Sequence, residues 1–472
     1  MNNNKWISFM LVATGVFMTT MDSSIVNIAL PVIMEELHAP FETIQWIVVI
    51  YLLTISSTLL ACGRLSDIKG RRWVYCYGFI GFTLGSMFCA AAGQAWQLVL
   101  ARSFQGLGAA MIMACSPALV VDTFPVRERG QALGLVATVV ASGLTAGPAL
   151  GGLILAHLSW RFIFLLNIPI GIVAVFAARR ILHRTAADVA TGEPFDGFGA
   201  AFLVVFLFSW MAWMLHVNKW PLSSYRMLAL AVAAIAGLLL LVRAERKCSY
   251  PIIDGGILKN RFFILSVICA VILFSGLFSI MFLMPFYLMR PAGLSAQAAG
   301  YLMMVPFVFL FFLSPLSGWL SDRIGSRVLC FAGMGMLTTA LITFTDLFPS
   351  TGLLPEIWRL CLAGAGVAIF LPAYNASAMG SVSAQKRGIA SGTIAAARNF
   401  GMVIGVALSG GIFSHAFSRL SHGANATLYT PMLKPAFLQA FHDAMLAGAA
   451  WVAVGWLLTL FRGDASPDSS SN

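Results

Sequence analysis

The chain has 472 residues, 59% of them apolar or aromatic and only 10% charged. A soluble domain carries about a quarter charged residues, so these values exclude a soluble enzyme, a secreted domain and a disordered chain, and leave a polytopic membrane protein. The formal charge of +11 sits mainly in short loops between apolar runs, which reads as membrane topology rather than as a nucleic-acid face.

A helix crossing the hydrocarbon core needs about 20 mostly apolar residues. Fourteen segments qualify, in chain order 6–31, 44–62, 74–93, 97–121, 131–157, 162–181, 198–216, 226–243, 262–289, 297–320, 328–346, 356–380, 389–417 and 442–461. The first is too long for a signal-peptide core and is kept as a membrane helix. An even number of spans places both termini on one side. The loops on that side and the two ends hold 20 Lys and Arg against 7 on the other, so the positive-inside rule predicts cytoplasmic termini. Two arginines, Arg102 and Arg398, are left inside helices.

Other chemistries find no support. The eight cysteines are scattered without a CxxC or Cys/His cluster, so neither a disulfide framework nor a metal site is expected. There is no phosphate-binding loop for an ATP-driven pump. The seven histidines fall mostly at helix ends or in loops, without the dyads or paired carboxylates a membrane enzyme needs.

An internal repeat organises the chain. Gly63-Arg64-Leu65-Ser66-Asp67-Ile68-Lys69-Gly70-Arg71-Arg72, between helices two and three, shares the pattern G-x-L-S-D-x-x-G-x-R with Gly318 to Arg327, between helices ten and eleven, at an offset of 255. Gly130, Gly134 and Gly147 match Gly388, Gly392 and Gly405 at 258, and Pro31 and Pro285, expected to end the first and ninth helices, lie 254 apart. Two related six-helix bundles with helices seven and eight inserted between them account for these landmarks, an arrangement typical of transporters with a site between the halves. The expected domains are 1–184, the first bundle; 185–260, the two inserted helices; 261–417, five helices of the second bundle; 418–441, an outer loop; and 442–472, the last helix and a Ser-rich tail.

Within the spans, Asp22 is the one carboxylate well inside an apolar run, about 24 Å along its helix from Trp6. Isolated and buried, it is expected to hold and exchange a proton; a neutral Asp in a helix–helix hydrogen bond is the alternative. Arg102 stays charged and must find carbonyls, a carboxylate or water. Arg398, beside Asn399, is read as its equivalent in the second half, with a structural role as the alternative. Tyr51, Gln105 and Asn375 are candidate polar lining of a central cavity. Gly143, Gly147 and Gly151 lie four apart on one helix face beside Pro148 and Gly152, where they permit close backbone approach; this run is expected to seal the seam between the halves, or else to be ordinary helix packing. Phe274, Phe278 and Phe282 repeat every four residues on helix nine, an aromatic surface suited to lipophilic guests and, through cation–π contacts, to quaternary ammonium.

Several motifs carry a resemblance that covers nearly the whole chain. Met21 to Pro31, the 63–72 loop, Leu100-Ala101-Arg102-Ser103-Phe104-Gln105-Gly106-Leu107-Gly108, Gly143 to Gly152, and Trp160-Arg161-Phe162 with Asn167-Ile168-Pro169-Ile170-Gly171 together resemble the major facilitator superfamily, and within it the fourteen-helix drug:proton antiporters. The resemblance implies an all-α major facilitator fold and proton-driven export of small lipophilic or cationic compounds. It implies a proton-coupling role for Arg102 near Asp22. It also implies a cytoplasmic gate in which Arg71 pairs with Asp122 and Asp67 faces a helix N-terminus of the other half; Gly63, Gly70, Arg72, Asp322 and Arg327 belong to the same motif and its repeat. No cofactor beyond the proton gradient is implied. The expected partners are the lipid bilayer, protons and the cargo, with a monomer sufficient and periplasmic or outer-membrane export partners open; the expected location is a bacterial inner membrane. The sequence departs from relatives that export divalent cations: the counterpart of Asp22 is Gly276, and Asp346 and Glu356 fall near outer helix ends. The rival reading is an exporter or uniporter of a metabolite in which Asp22 is only structural. Asn425-Ala426-Thr427, in the outer loop, matches a glycosylation sequon.

Overall fold

The computed structural model describes residues 3–182, 196–216, 220–221, 223–247, 260–348, 352–383, 387–421 and 429–461. All fourteen expected spans are helices: α1 (Asn3–Glu36), α2 (Phe41–Lys69), α3 (Arg71–Ala91), α4 (Ala95–Thr123), α5 (Arg129–His157), α6 (Arg161–Ile181), α7 (Gly197–His216), α8 (Tyr225–Lys247), α9 (Arg261–Met289), α10 (Ala296–Ile324), α11 (Ser326–Thr345), α12 (Leu354–Gly380), α13 (Arg387–Leu420) and α14 (Lys434–Leu460). No strand occurs among the described residues. In hydrocarbon every backbone group must be satisfied within its own segment, and helices achieve this.

Two boundaries differ from expectation. Pro31 and Pro285 do not end their helices but lie inside them, because neighbouring helices can compensate for the one missing donor. Helix α14 begins at Lys434 rather than 442, behind a short 3-10 turn. Its added turns carry a proline where the N–H is not needed, and Phe437, Ala440 and Phe441 are buried. The outer loop expected over 418–441 therefore contracts to 421–433. The sequon at Asn425, the tail from Asp464, and Arg184, Lys219, Lys259, Lys386 and Arg462 lie outside the described residues.

The repeat is physical. In the first half α1 packs on α5, α3 on α4 and α2 on α4; in the second, α9 packs on α13, α11 on α12 and α10 on α12. Gly70 links α2 to α3 at φ 93°, and Gly325, its partner in the repeat, links α10 to α11 at φ 88°. Both occupy the left-handed region where glycine alone is unstrained. The halves meet along two seams, α2 with α13 and α5 with α10, and the inserted α7 packs against α2 and α13.

These seams are closed most firmly at the end away from the termini. There the Gln45 amide donates to the Val406 carbonyl at 2.7 Å and Ser414 donates to Glu42 at 2.6 Å. Phe41 packs its ring 5.1 Å from both Phe286 and Phe413, and Arg290 pairs with Glu35 at 3.3 Å. On the other seam a Cβ at Gly152 would lie 2.6 Å from the Ala296 carbonyl. At the opposite end a Cβ at Gly63, Gly130, Gly134 or Gly380 would meet nothing within 4 Å. Among the described residues the packing between the halves loosens toward the side that carries the chain ends, where Gly392 of α13 still approaches Leu60 of α2.

Candidate functional site

Five helices of the first half converge on Asp22. It stands 19 residues into α1, about 28 Å along its axis, and is 0% exposed. From α4, the Arg102 guanidinium forms an ion pair with it. The same guanidinium donates to Gln105 Oε1 at 2.7 Å and to the Ile47 carbonyl at 3.4 Å, and stacks 3.8 Å over the Tyr51 ring of α2. Gln105 Nε2 donates to Asp22 Oδ1 at 3.0 Å and to Ser86 of α3 at 2.9 Å. Asn167 Nδ2, from α6, donates to the same Asp22 oxygen at 3.0 Å. Tyr51 donates to the Thr19 carbonyl at 3.1 Å, tying α2 to the α1 segment ahead of the acid.

This corrects one expectation. Asp22 is not isolated: it accepts from Arg102, Gln105 and Asn167 together. A buried ion pair persists only with such added hydrogen bonds, because each ion loses several kcal/mol of hydration. The structure brings together Asp22, Arg102, Gln105 and Tyr51. Asn167 and Ser86 complete the cluster; in sequence Asn167 stands out only as part of a motif, although an amide inside an apolar span is a signal for a buried polar site, and Ser86 does not stand out at all. Asn375 is exposed on α12 and takes no part in the cluster.

The small residues of α5 hold α1 in place. A Cβ at Gly143 would strike Thr20, at Gly147 Ser24 and the Ile25 backbone, and at Gly151 the Ile28 and Ile25 side chains; Ser24 also donates to the Gly143 carbonyl at 3.4 Å. These glycines therefore face α1, within the first half, rather than the seam between halves. The seam is reached most closely at Pro148 and Gly152, whose backbones abut Gly300 of α10. Small residues on both faces of α5 permit both contacts. Beside Pro148 lies a cavity of about 10 Å³, lined by Ser24, Asn27, Phe278, Met281 and Met303 among others, with room for about one water. Closer to the open end, α5 and α10 part around a cleft of about 280 Å³ between Ser142 and Thr145 on one side and Phe311 and Phe312 on the other.

The aromatic stripe of α9 divides its work. Phe282 packs with Phe41 and Phe286 in the closed end, Phe278 lines the small cavity, and Phe274 approaches Arg398.

At the open end Arg71 pairs with Asp122, and donates to the Ala118 carbonyl at 3.4 Å. Asp67 lies 3.7 Å from Arg71, with its side chain 50% exposed. Among the described residues its partner is Arg71 of its own half rather than a helix end of the second half. Arg72 donates to the Arg179 carbonyl of α6. In the second copy Asp322 is exposed, and Arg327 donates to the Leu460 carbonyl.

Arg398 is not the counterpart of Arg102. It stands on α13, the partner of α5, and 258 positions before it lies Val140; the residue 258 after Arg102 is the buried Leu360. Its neighbour Asn399 is buried. Glu356 is buried in the first turn of α12, where a carboxylate is favoured by the helix dipole.

With this geometry in view, a family model decides the lineage: the one described as Major Facilitator Superfamily matches residues 12–406. The chain belongs to that superfamily. It is a multi-pass integral membrane transporter and not an enzyme. The chain is 32% identical to a protein named riboflavin transporter RibZ from Clostridioides difficile (strain 630), over 97% of each chain. It is 31% identical to multidrug resistance protein Stp of Mycobacterium tuberculosis, over 88% of this chain and 77% of that one. Among solved structures, a bacterial homologue of the human lysosomal transporter Spinster, inward-facing and unoccupied, superposes with a TM-score of 0.70 at 16% identity, covering 99% of this chain and 100% of the other. That likeness concerns the fold.

Proposed function

We propose that the chain is a proton-coupled antiporter that exports small lipophilic compounds from the cytoplasm across a bacterial inner membrane by alternating access. The observation that carries this reading is the path from Asp22 to the seam. Asp22 is gripped by Arg102, Gln105 and Asn167; its helix turn is wedged against Gly143 and Gly147 of α5, and α5 meets α10 at Gly152 and Gly300. Protonating Asp22 removes the charge that holds Arg102, so α1 and α5 lose the restraint that sets their position. The seam they share with α10 then shifts between its two arrangements. In this scheme both termini face the cytoplasm, the looser end of the seams is the cytoplasmic one, and the proton gradient is the only energy source. One chain is sufficient, surrounded by lipid, with any export partner outside it.

The cationic cargo anticipated from the aromatic content gains little here, because Asp22 already has a cationic partner. A second reading, export or uniport of a metabolite with Asp22 structural, is favoured by the completeness of the Asp22 pairing and by a relative named as a riboflavin transporter. The test is proton release from purified protein in weak buffer on addition of a bound lipophilic compound. Antiport predicts release that disappears in Asp22→Asn; equal release from both proteins would remove Asp22 from coupling.

A further inference from the structure

Two arginines lie deep inside spans, and they are treated differently. Arg102 is paired with an acid, hydrogen-bonded to Gln105 and stacked on Tyr51. Arg398 has a buried Nε with no hydrogen-bond partner. Near it lie the Phe274 ring of α9, 6.0 Å from the guanidinium carbon, and the Tyr374 phenol of α12. The adjoining Asn399, 4% exposed, also holds an amide nitrogen without an acceptor.

A guanidinium stays charged, and an uncompensated charge at membrane depth is expensive and marks a ligand or ion path. Arg398 lies 11 residues into α13 from its start at the open end, about 16 Å along the axis, within reach of a guest that enters there. One turn further, at Gly401, the backbones of α13 and α9 close together. Among the described residues the site thus offers donors and aromatic faces, and no carboxylate is paired with Arg398. We propose that Arg398 and Asn399 bind the anionic oxygen group of the transported compound, and that Phe274 and Tyr374 pack against its apolar body. The cargo is therefore a lipophilic organic anion, such as an aromatic carboxylate. This deepens the transport reading above by naming its substrate class. Arginine suits the task because its planar fork can hold two oxygens at once.

The test uses purified full-length protein in detergent at fixed pH and three fluorescent probes with one pyrene body: pyrenebutyrate, its amide and a trimethylammonium analogue. The wild type is expected to bind the carboxylate most tightly. Arg398→Gln should weaken the carboxylate by about 10- to 100-fold and leave the amide within a few-fold. Arg398→Lys should retain part of the preference, and it serves as the readout if the Gln variant fails to elute as a folded species. Equal binding of the three probes, binding of none, or an unchanged preference in Arg398→Gln would overturn the proposal and leave water as the partner of Arg398. Binding at fixed pH moves no proton across a membrane. Failure here therefore leaves proton coupling standing, and failure of coupling leaves this site intact.

Discussion

The two halves share a backbone and differ where charge is buried. At Asp22 the first half builds a five-helix polar cluster, while at the matching Gly276 the second half packs Val452, Leu337 and Leu341. At Val140 the first half is apolar, while at the matching position the second half holds Arg398. Both halves press a glycine-bearing helix on its neighbour, α5 on α1 at Gly147 and α13 on α9 at Gly405. The repeat therefore conserves close packing and divides the chemistry: a paired acid on one side, an arginine without an acid on the other.

The largest expected effect would break this comparison at the ion pair. Arg102→Leu leaves Asp22 buried and uncompensated and should cost about 3–5 kcal/mol of stability, read as a drop in thermal midpoint in detergent. The double variant Asp22→Asn with Arg102→Gln should recover much of that loss without recovering transport. A single variant as stable as the wild type would mean that the pair is already solvated.

Next come the matched glycines. A valine at Gly147 or at Gly405 must displace the backbone it faces, at Ile25 or at Ser275, and overpacking of this kind costs about 1–3 kcal/mol. Both substitutions should destabilise alike, yet only Gly147→Val should abolish substrate-induced proton release, because only α1 carries the acid. Equal effects on release would erase the distinction between the halves.

Smaller again, Gly70→Ala and Gly325→Ala should each cost about 1–2 kcal/mol for a left-handed residue, and by similar amounts if the two turns are true copies. The smallest change is at the open end. Asp122→Asn removes a partly exposed ion pair with Arg71 and should cost no more than about 1 kcal/mol, an effect that added salt should shrink; a larger loss would mark the pair as structural in this state.

Much of this architecture is legible in the sequence, for identifiable reasons. The fourteen spans follow from the length a helix needs to cross hydrocarbon, and the repeat shows itself at Gly70 and Gly325 because left-handed backbone demands glycine. The start of α14 is hard to see in sequence because Lys434, Pro435 and Gln439 look like loop, while the buried Phe437, Ala440 and Phe441 carry the helical period. Asp22 and Arg102 stand out singly, but their pairing spans 80 residues and no local pattern encodes it. The choice between seam and ordinary helix packing for Gly143, Gly147 and Gly151 stays open in sequence for a similar reason: α5 has small residues on two faces, and only packing chooses which face meets α1. The isolation of Arg398 is likewise a property of its surroundings, since it depends on what α9 and α12 fail to place beside it.

Whether Asp22 exchanges a proton is tested without knowledge of the cargo by difference infrared spectroscopy of the purified protein. On acidification the wild type should show a protonated-carboxyl band that is missing from Asp22→Asn, with the Asp22→Asn and Arg102→Gln double variant as the folded control. Identical spectra for wild type and Asp22→Asn across the folded range would contradict that exchange, and would leave Asp22 as a permanently ionised strut for Arg102.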